Sequence, residues 1–142
     1  MKHLIRTFAL FALAALTACG GSDATGPAPS VAGIYTLASV NGSPLPFTYF
    51  ENTAGRVQYA SATMNLRADS SFVEHVNRAA IFFSRPDLND ARTIVEHGTY
   101  SLTGASLVLT YTAADRLTSY QGTLENGVLR FVHNQRAYEY RR

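Results

Sequence analysis

The sequence predicts an all-β fold: an antiparallel up-and-down meander of about eight strands that closes into a small barrel. Three observations lead there. Apolar and polar residues alternate over most of the chain beyond residue 32, which is the period of a half-buried strand. Short turns containing Gly or Asn interrupt that alternation at regular intervals. The composition supplies eight Tyr, eight Phe and no Trp, with Thr and Val frequent, and long runs of Glu, Lys, Leu and Ala are missing after the opening segment. Such side chains fit pleated, half-buried surfaces. A meander this long must hide its two edges, and closure does that.

The elements follow in order. Gly33 to Val40 (GIYTLASV) is the first strand and ends on Asn41-Gly42, a two-residue hairpin turn. Pro44 to Phe50 is apolar and aromatic but carries two prolines, so a short edge strand or a flap over one end is expected. Arg56 to Arg67 alternates, with Ala60, Ala62, Met64 and Leu66 on one face and Tyr59, Ser61, Thr63 and Asn65 on the other. Ala68 to Ser71 turns into a strand from Phe72 to Phe83. The longest polar interruption, Ser84 to Arg92, has room for one helical turn after Pro86. Strands then run Thr93 to Leu102, Ser106 to Thr112, Leu117 to Glu125, Val128 to His133 and Arg136 to Arg141. Their connections are Thr103-Gly104, Ala113 to Arg116, Asn126-Gly127 and Asn134-Gln135. Around Gly104, Tyr100, Leu102, Leu107 and Leu109 share the core phase, and Thr99, Ser101, Val108 and Thr110 take the outer one.

The opening segment is of another kind. Lys2, His3 and Arg6 give a basic start, and Phe8 to Leu16 is an apolar run far shorter than the ~20 residues a spanning helix needs. It ends in Leu16-Thr17-Ala18 and then Cys19, the chain's one cysteine. This stretch resembles the signal and lipobox of bacterial lipoproteins. The resemblance implies cleavage before Cys19, a diacylglyceryl thioether on its thiol and acylation of its freed amine. Gly20, where some relatives carry Asp, resembles the class sorted to the outer membrane and facing the periplasm. The expected organisation is a signal peptide at 1–18, a lipidated cysteine and small, Pro-containing tether at 19–31, and a domain at 32–142. With Cys19 taken by lipid, no disulfide is available and the core must hold the domain alone.

Charge excludes one class of partner. Without Lys2 and Arg6, ten Arg balance ten Asp and Glu, and only Arg141-Arg142 are adjacent. Nucleic-acid binding leaves a basic patch, and none is visible.

Several elements together resemble small lipocalin-like lipoproteins: Gly33-Ile34-Tyr35 with Val40-Asn41-Gly42, the Leu66-x-x-Asp69-x-x-Phe72 turn, and Gly98-Thr99-Tyr100 before Leu107-Val108-Leu109. The resemblance spans about residues 31–142 and implies an up-and-down barrel. Tyr35 stands where relatives carry Trp, and no Arg is obviously placed to stack on it. META-type domains of the envelope also open with a Gly-x-aromatic strand, so that alternative stays open.

Catalysis finds little support, since there is no Gly-x-Ser-x-Gly elbow and Cys19 is spent on lipid; no enzyme activity and no cofactor are expected. Val-Glu-His occurs at 73–75 and again at 95–97, on strands that should be neighbours. Folding the hairpin about the centre of the Ser84–Arg92 loop puts His97 near Asn77 to Ala79. His75 and His97 then read as solvent-facing, and a metal site with His133 would need three converging ligands. Glu74 and Glu96 fall in the other phase. They are either paired carboxylates inside the barrel, needing partners such as Arg78 or Arg136, or they lie at the open rim or beyond a bulge. Arg136 and Tyr138 point the same way on the last strand and could clamp a carboxylate. The final strand of fatty-acid-binding relatives of lipocalins carries a similar Arg-x-Tyr. Tyr35 and Tyr100, with Leu37, Leu102, Leu107, Leu109 and Phe131, would line the tail of such a ligand. The expected function is a membrane-anchored, non-catalytic binder of a small apolar or amphiphilic molecule. The alternative is a filled barrel serving as a structural or protein-interaction module, and cavity volume separates the two.

Overall fold

The computed structural model describes residues 31–113 and 116–142. The expected signal segment, Cys19, the tether to residue 30 and the middle of the Ala113–Arg116 turn lie outside the described residues. The strands are β1 (Gly33–Val40), β2 (Ser43–Pro44), β3 (Phe47–Glu51), β4 (Gly55–Leu66), β5 (Ser71–Phe82), β6 (Asp90–Thr103), β7 (Ser106–Ala113), β8 (Arg116–Glu125), β9 (Val128–His133) and β10 (Arg136–Arg141). A 3₁₀ turn, Pro86–Leu88, follows β5.

From β4 to β10 every strand pairs antiparallel with the next, β10 pairs with β1, and β1 pairs with β4. That last ladder, Gly33↔Leu66 to Thr36↔Thr63, closes an eight-strand barrel. The ring removes every edge from the meander except those of β2 and β3, which lie outside it. The hairpin turns explain the tight connections. Asn41 (φ 52°) and Gly42 (φ 76°), like Asn126 (51°) and Gly127 (75°), both take left-handed conformations, as turns matched to strand twist require.

The core phase of the β6–β7 hairpin is as expected for Tyr100, Leu107 and Leu109, which are buried. Leu102 is only half-buried, because it sits beside the turn at the barrel's end. Gly98 shares this inward phase for a reason of space. A Cβ there would lie 2.1 Å from the Thr110 carbonyl oxygen and 2.6 Å from the Phe72 ring.

Two expectations about register are corrected. In β4, Ala62, Met64 and Leu66 are buried, but Ala60 is exposed and Tyr59 packs against the core. A bulge between Tyr59 and Ser61 shifts the phase by one residue and turns every side chain before it to the other face. In β6, His97 pairs with Val73 rather than with Asn77 to Ala79. The strand begins at Asp90, and the Phe82 amide donates to Asn89 Oδ1, so the connection is shorter than the polar run.

The barrel's two ends differ. One end, with the turns after β4, β6 and β8, is packed solid. There the Tyr35 hydroxyl donates to the Val31 carbonyl and the Tyr100 hydroxyl to the Arg67 carbonyl, both at 2.7 Å. Val31, expected in the tether, packs against this core. Arg142, from the far end of the sequence, brings a guanidinium to this end. Its guanidinium lies against Gly33 and beside the Tyr35 phenol, and its amide donates to the Gly127 carbonyl. The other end carries the turns after β1 and β9 and opens into the site described next.

Candidate functional site

A cavity of about 220 Å³ occupies the open end, and all eight ring strands contribute to its wall. The alternation that builds the core continues into it. Tyr138 and Tyr140 come from β10, Tyr111 from β7, Tyr120 from β8 and Phe131 from β9, each on the inward phase of its strand. Tyr59 reaches it because the β4 bulge turns it inward.

The rings form a nearly continuous band. Tyr49 stacks on Tyr59 with centroids 4.6 Å apart, and Tyr59 meets Tyr138 edge-on at 6.2 Å. Tyr138 stacks on Phe131 at 5.3 Å, and Tyr120 contacts Tyr111 at 5.4 Å and His133 at 4.4 Å. Each such pair adds about 0.5–1.5 kcal/mol beyond the area it buries, so this wall is held firmly in shape.

Glu74 lies at the base of the cavity, 5% exposed. Of the two arrangements the sequence left open, β5 takes the inward one. The carboxylate accepts a hydrogen bond from the Tyr111 hydroxyl at 2.7 Å and another from Tyr140, and among the described residues no arginine pairs with it. Burial pushes its pKa above the ordinary carboxylate range, the two phenols offset that in part, and Glu96 adds to the rise. Glu96 is its direct cross-strand partner and lines the same cavity, but is open to solvent. Partial withdrawal from water raises its pKa too. The Tyr111 and Tyr140 phenols, buried beside a carboxylate, are pushed far above their usual pKa and stay protonated donors. His133 is shifted the other way, below its ordinary value, by burial and by the nearby Arg136 charge.

Arg136 and Tyr138 have the shared phase expected of them but different surroundings. Tyr138 is buried and lines the cavity. Arg136 stands at the mouth, where its guanidinium donates to the Tyr49 carbonyl at 3.2 Å and lies 5.9 Å from the Tyr49 ring. Arg78 approaches the same ring at 5.6 Å. Both arginines therefore fasten β3 across the mouth, consistent with a flap. Neither reaches Glu74. Tyr35 and Tyr100 are not in the cavity wall; they belong to the packed end, as do Leu107 and Leu109, while Leu37 and Phe131 do line the cavity. His75 and His97 are exposed on the outer face. Among the described residues no three His, Cys, Asp or Glu side chains converge as a metal site would require.

Sequence reasoning missed Tyr59, Tyr111, Tyr120 and Tyr140 as cavity residues. Their alternation was legible, but which half of each inward face would be filled and which left open was not. No known protein-family description matches the chain, and no curated protein is significantly similar to it.

Proposed function

We propose that the chain is a lipid-anchored envelope protein whose lipocalin-like barrel binds one small apolar or amphiphilic ligand and performs no catalysis on it. The observation that carries this reading is the aromatic-walled cavity at one end of an otherwise filled barrel. An eight-strand barrel is just wide enough to be filled by its own side chains or to hold one small ligand. Here one end is filled and the other is not. The volume, about 220 Å³, lies below the ~300–1,000 Å³ of drug-sized sites, so the ligand is small or leaves part of itself at the mouth. Arg142 against Gly33 and Tyr35 supports the lipocalin-like likeness. The anchor and the periplasm-facing outer-membrane address rest on the segment ending in Cys19.

Native mass spectrometry of protein purified from its own envelope tests the reading. One small molecule retained per chain is the expected result. A second reading, a protein-interaction module, draws on exposed Phe50, Phe82, Phe83 and Leu88, which β-sheet register and the following loop bring to one corner of the barrel. Exposed apolar patches mark interaction sites. A co-purified protein with an empty cavity would favour that module instead.

A further inference from the structure

Among the described residues the charge inside the cavity has one sign: Glu74 and Glu96 are the acids in its wall, and no described Arg or Lys side chain lines it. The two carboxyl groups face each other directly across β5 and β6. Glu74 already takes two phenol hydrogen bonds, whereas Glu96 makes no hydrogen bond or ion pair among the described residues. Like charges opposed on one face of a sheet are destabilising, and the buried Glu74 carboxylate has two phenol hydrogen bonds but no counter-charge among the described residues. Arg78 and Arg136 supply none at this position, because they are held at the mouth on the Tyr49 ring.

We infer that the ligand is a small organic cation, an amine or quaternary ammonium group on an apolar body, with its charge between Glu74 and Glu96 and its body against Tyr120, Phe131 and Tyr138. This rests on the small-ligand reading above. Three features converge on that chemistry. An ammonium supplies the missing counter-charge to both carboxylates. The faces of aromatic rings carry negative potential and attract cations, most strongly where water is excluded. A ligand carboxylate placed at the same depth would instead be a third negative charge in a confined space. An anionic head group is therefore restricted to the mouth, and the clamp expected from Arg136 and Tyr138 does not operate inside.

The test is calorimetric titration of the full-chain protein with three probes of similar size: phenethylamine, phenethyl alcohol and phenylacetate. The amine should bind at least about tenfold more tightly than the alcohol, the value of one charge-assisted hydrogen bond, and phenylacetate should bind most weakly. Glu96→Gln, at a solvent-open position without hydrogen bonds among the described residues, should fold normally and bring the amine affinity down towards that of the alcohol. Equal affinity for amine and alcohol, tighter binding of phenylacetate, or an amine affinity unaffected by Glu96→Gln would each overturn the cation inference and leave the small-ligand reading standing. Failure of all three probes to bind would overturn both.

Discussion

Glu74 and Glu96 stand directly opposite each other in the β5–β6 ladder, both turned into the barrel, with two tyrosine hydroxyls on the first and solvent on the second. An up-and-down barrel could have placed two apolar residues there. Retaining two acids at an inward position costs stability, and that cost has a readable dependence on pH.

For Glu74 the folded pKa is raised above the unfolded value, with burial the largest cause. The folded state therefore binds more protons than the unfolded state between those two values, and stability falls as pH rises through that window. The solvent-open Glu96, raised by desolvation, acts in the same direction. Glu74→Gln should flatten this part of the profile, so that its urea midpoint overtakes that of the wild type as pH increases from the ordinary carboxyl range to neutral. Parallel profiles for the two proteins would mean that Glu74 is not desolvated in the folded state.

The core phase of β7 is tested by neighbouring substitutions. Leu109 is fully buried, and Thr110 shares a hydroxyl contact with Ser119 on the exposed outer face. Leu109→Ala should cost about 2–5 kcal/mol and Thr110→Ala well under ~1 kcal/mol, measured by denaturant unfolding. Equal costs would reverse the assigned phase.

Gly98 is a matter of space alone. A methyl group there would lie within 2.6 Å of the Phe72 ring and closer still to the Thr110 carbonyl. Gly98→Ala should destabilise by at least the ~1–3 kcal/mol typical of overpacking, although alanine is ordinarily the milder residue in a strand. A neutral result would show that β6 and β7 can separate at this point.

Arg136 holds β3 at the mouth through the Tyr49 carbonyl and ring. Arg136→Met should speed amide hydrogen exchange in Phe47–Glu51 by several-fold, consistent with the loss of a cation–π contact of about 0.5–1 kcal/mol, and leave exchange in β7 unchanged. Uniform acceleration would point to global destabilisation instead.

The proposed anchor has a direct chemical test. Cys19→Ser should abolish incorporation of a palmitate analogue, because the chain has no other cysteine to form the thioether. Label retained on the variant would reject lipidation at this position.

How much could be read beforehand depended on the range of the interaction. Alternation around Gly104 and the Asn-Gly turns at 41–42 and 126–127 sufficed for strands, phases and a closed meander, because side-chain period and turn conformation are local properties. The β4 bulge was not legible. Ala60 and Tyr59 look regular in sequence, and only pairing with Asn77 and Arg78 leaves one residue over. Nor was the arginine beside Tyr35, which comes from the far end of the chain as Arg142. The cavity was least legible of all. Leu107 and Tyr111 carry the same inward signal, yet one is fully buried in the core and the other borders the cavity. Local pattern determined which residues point inward; the closure of eight strands on one another decided how far opposite walls stand apart, and so where the inward residues pack and where they leave room for a ligand.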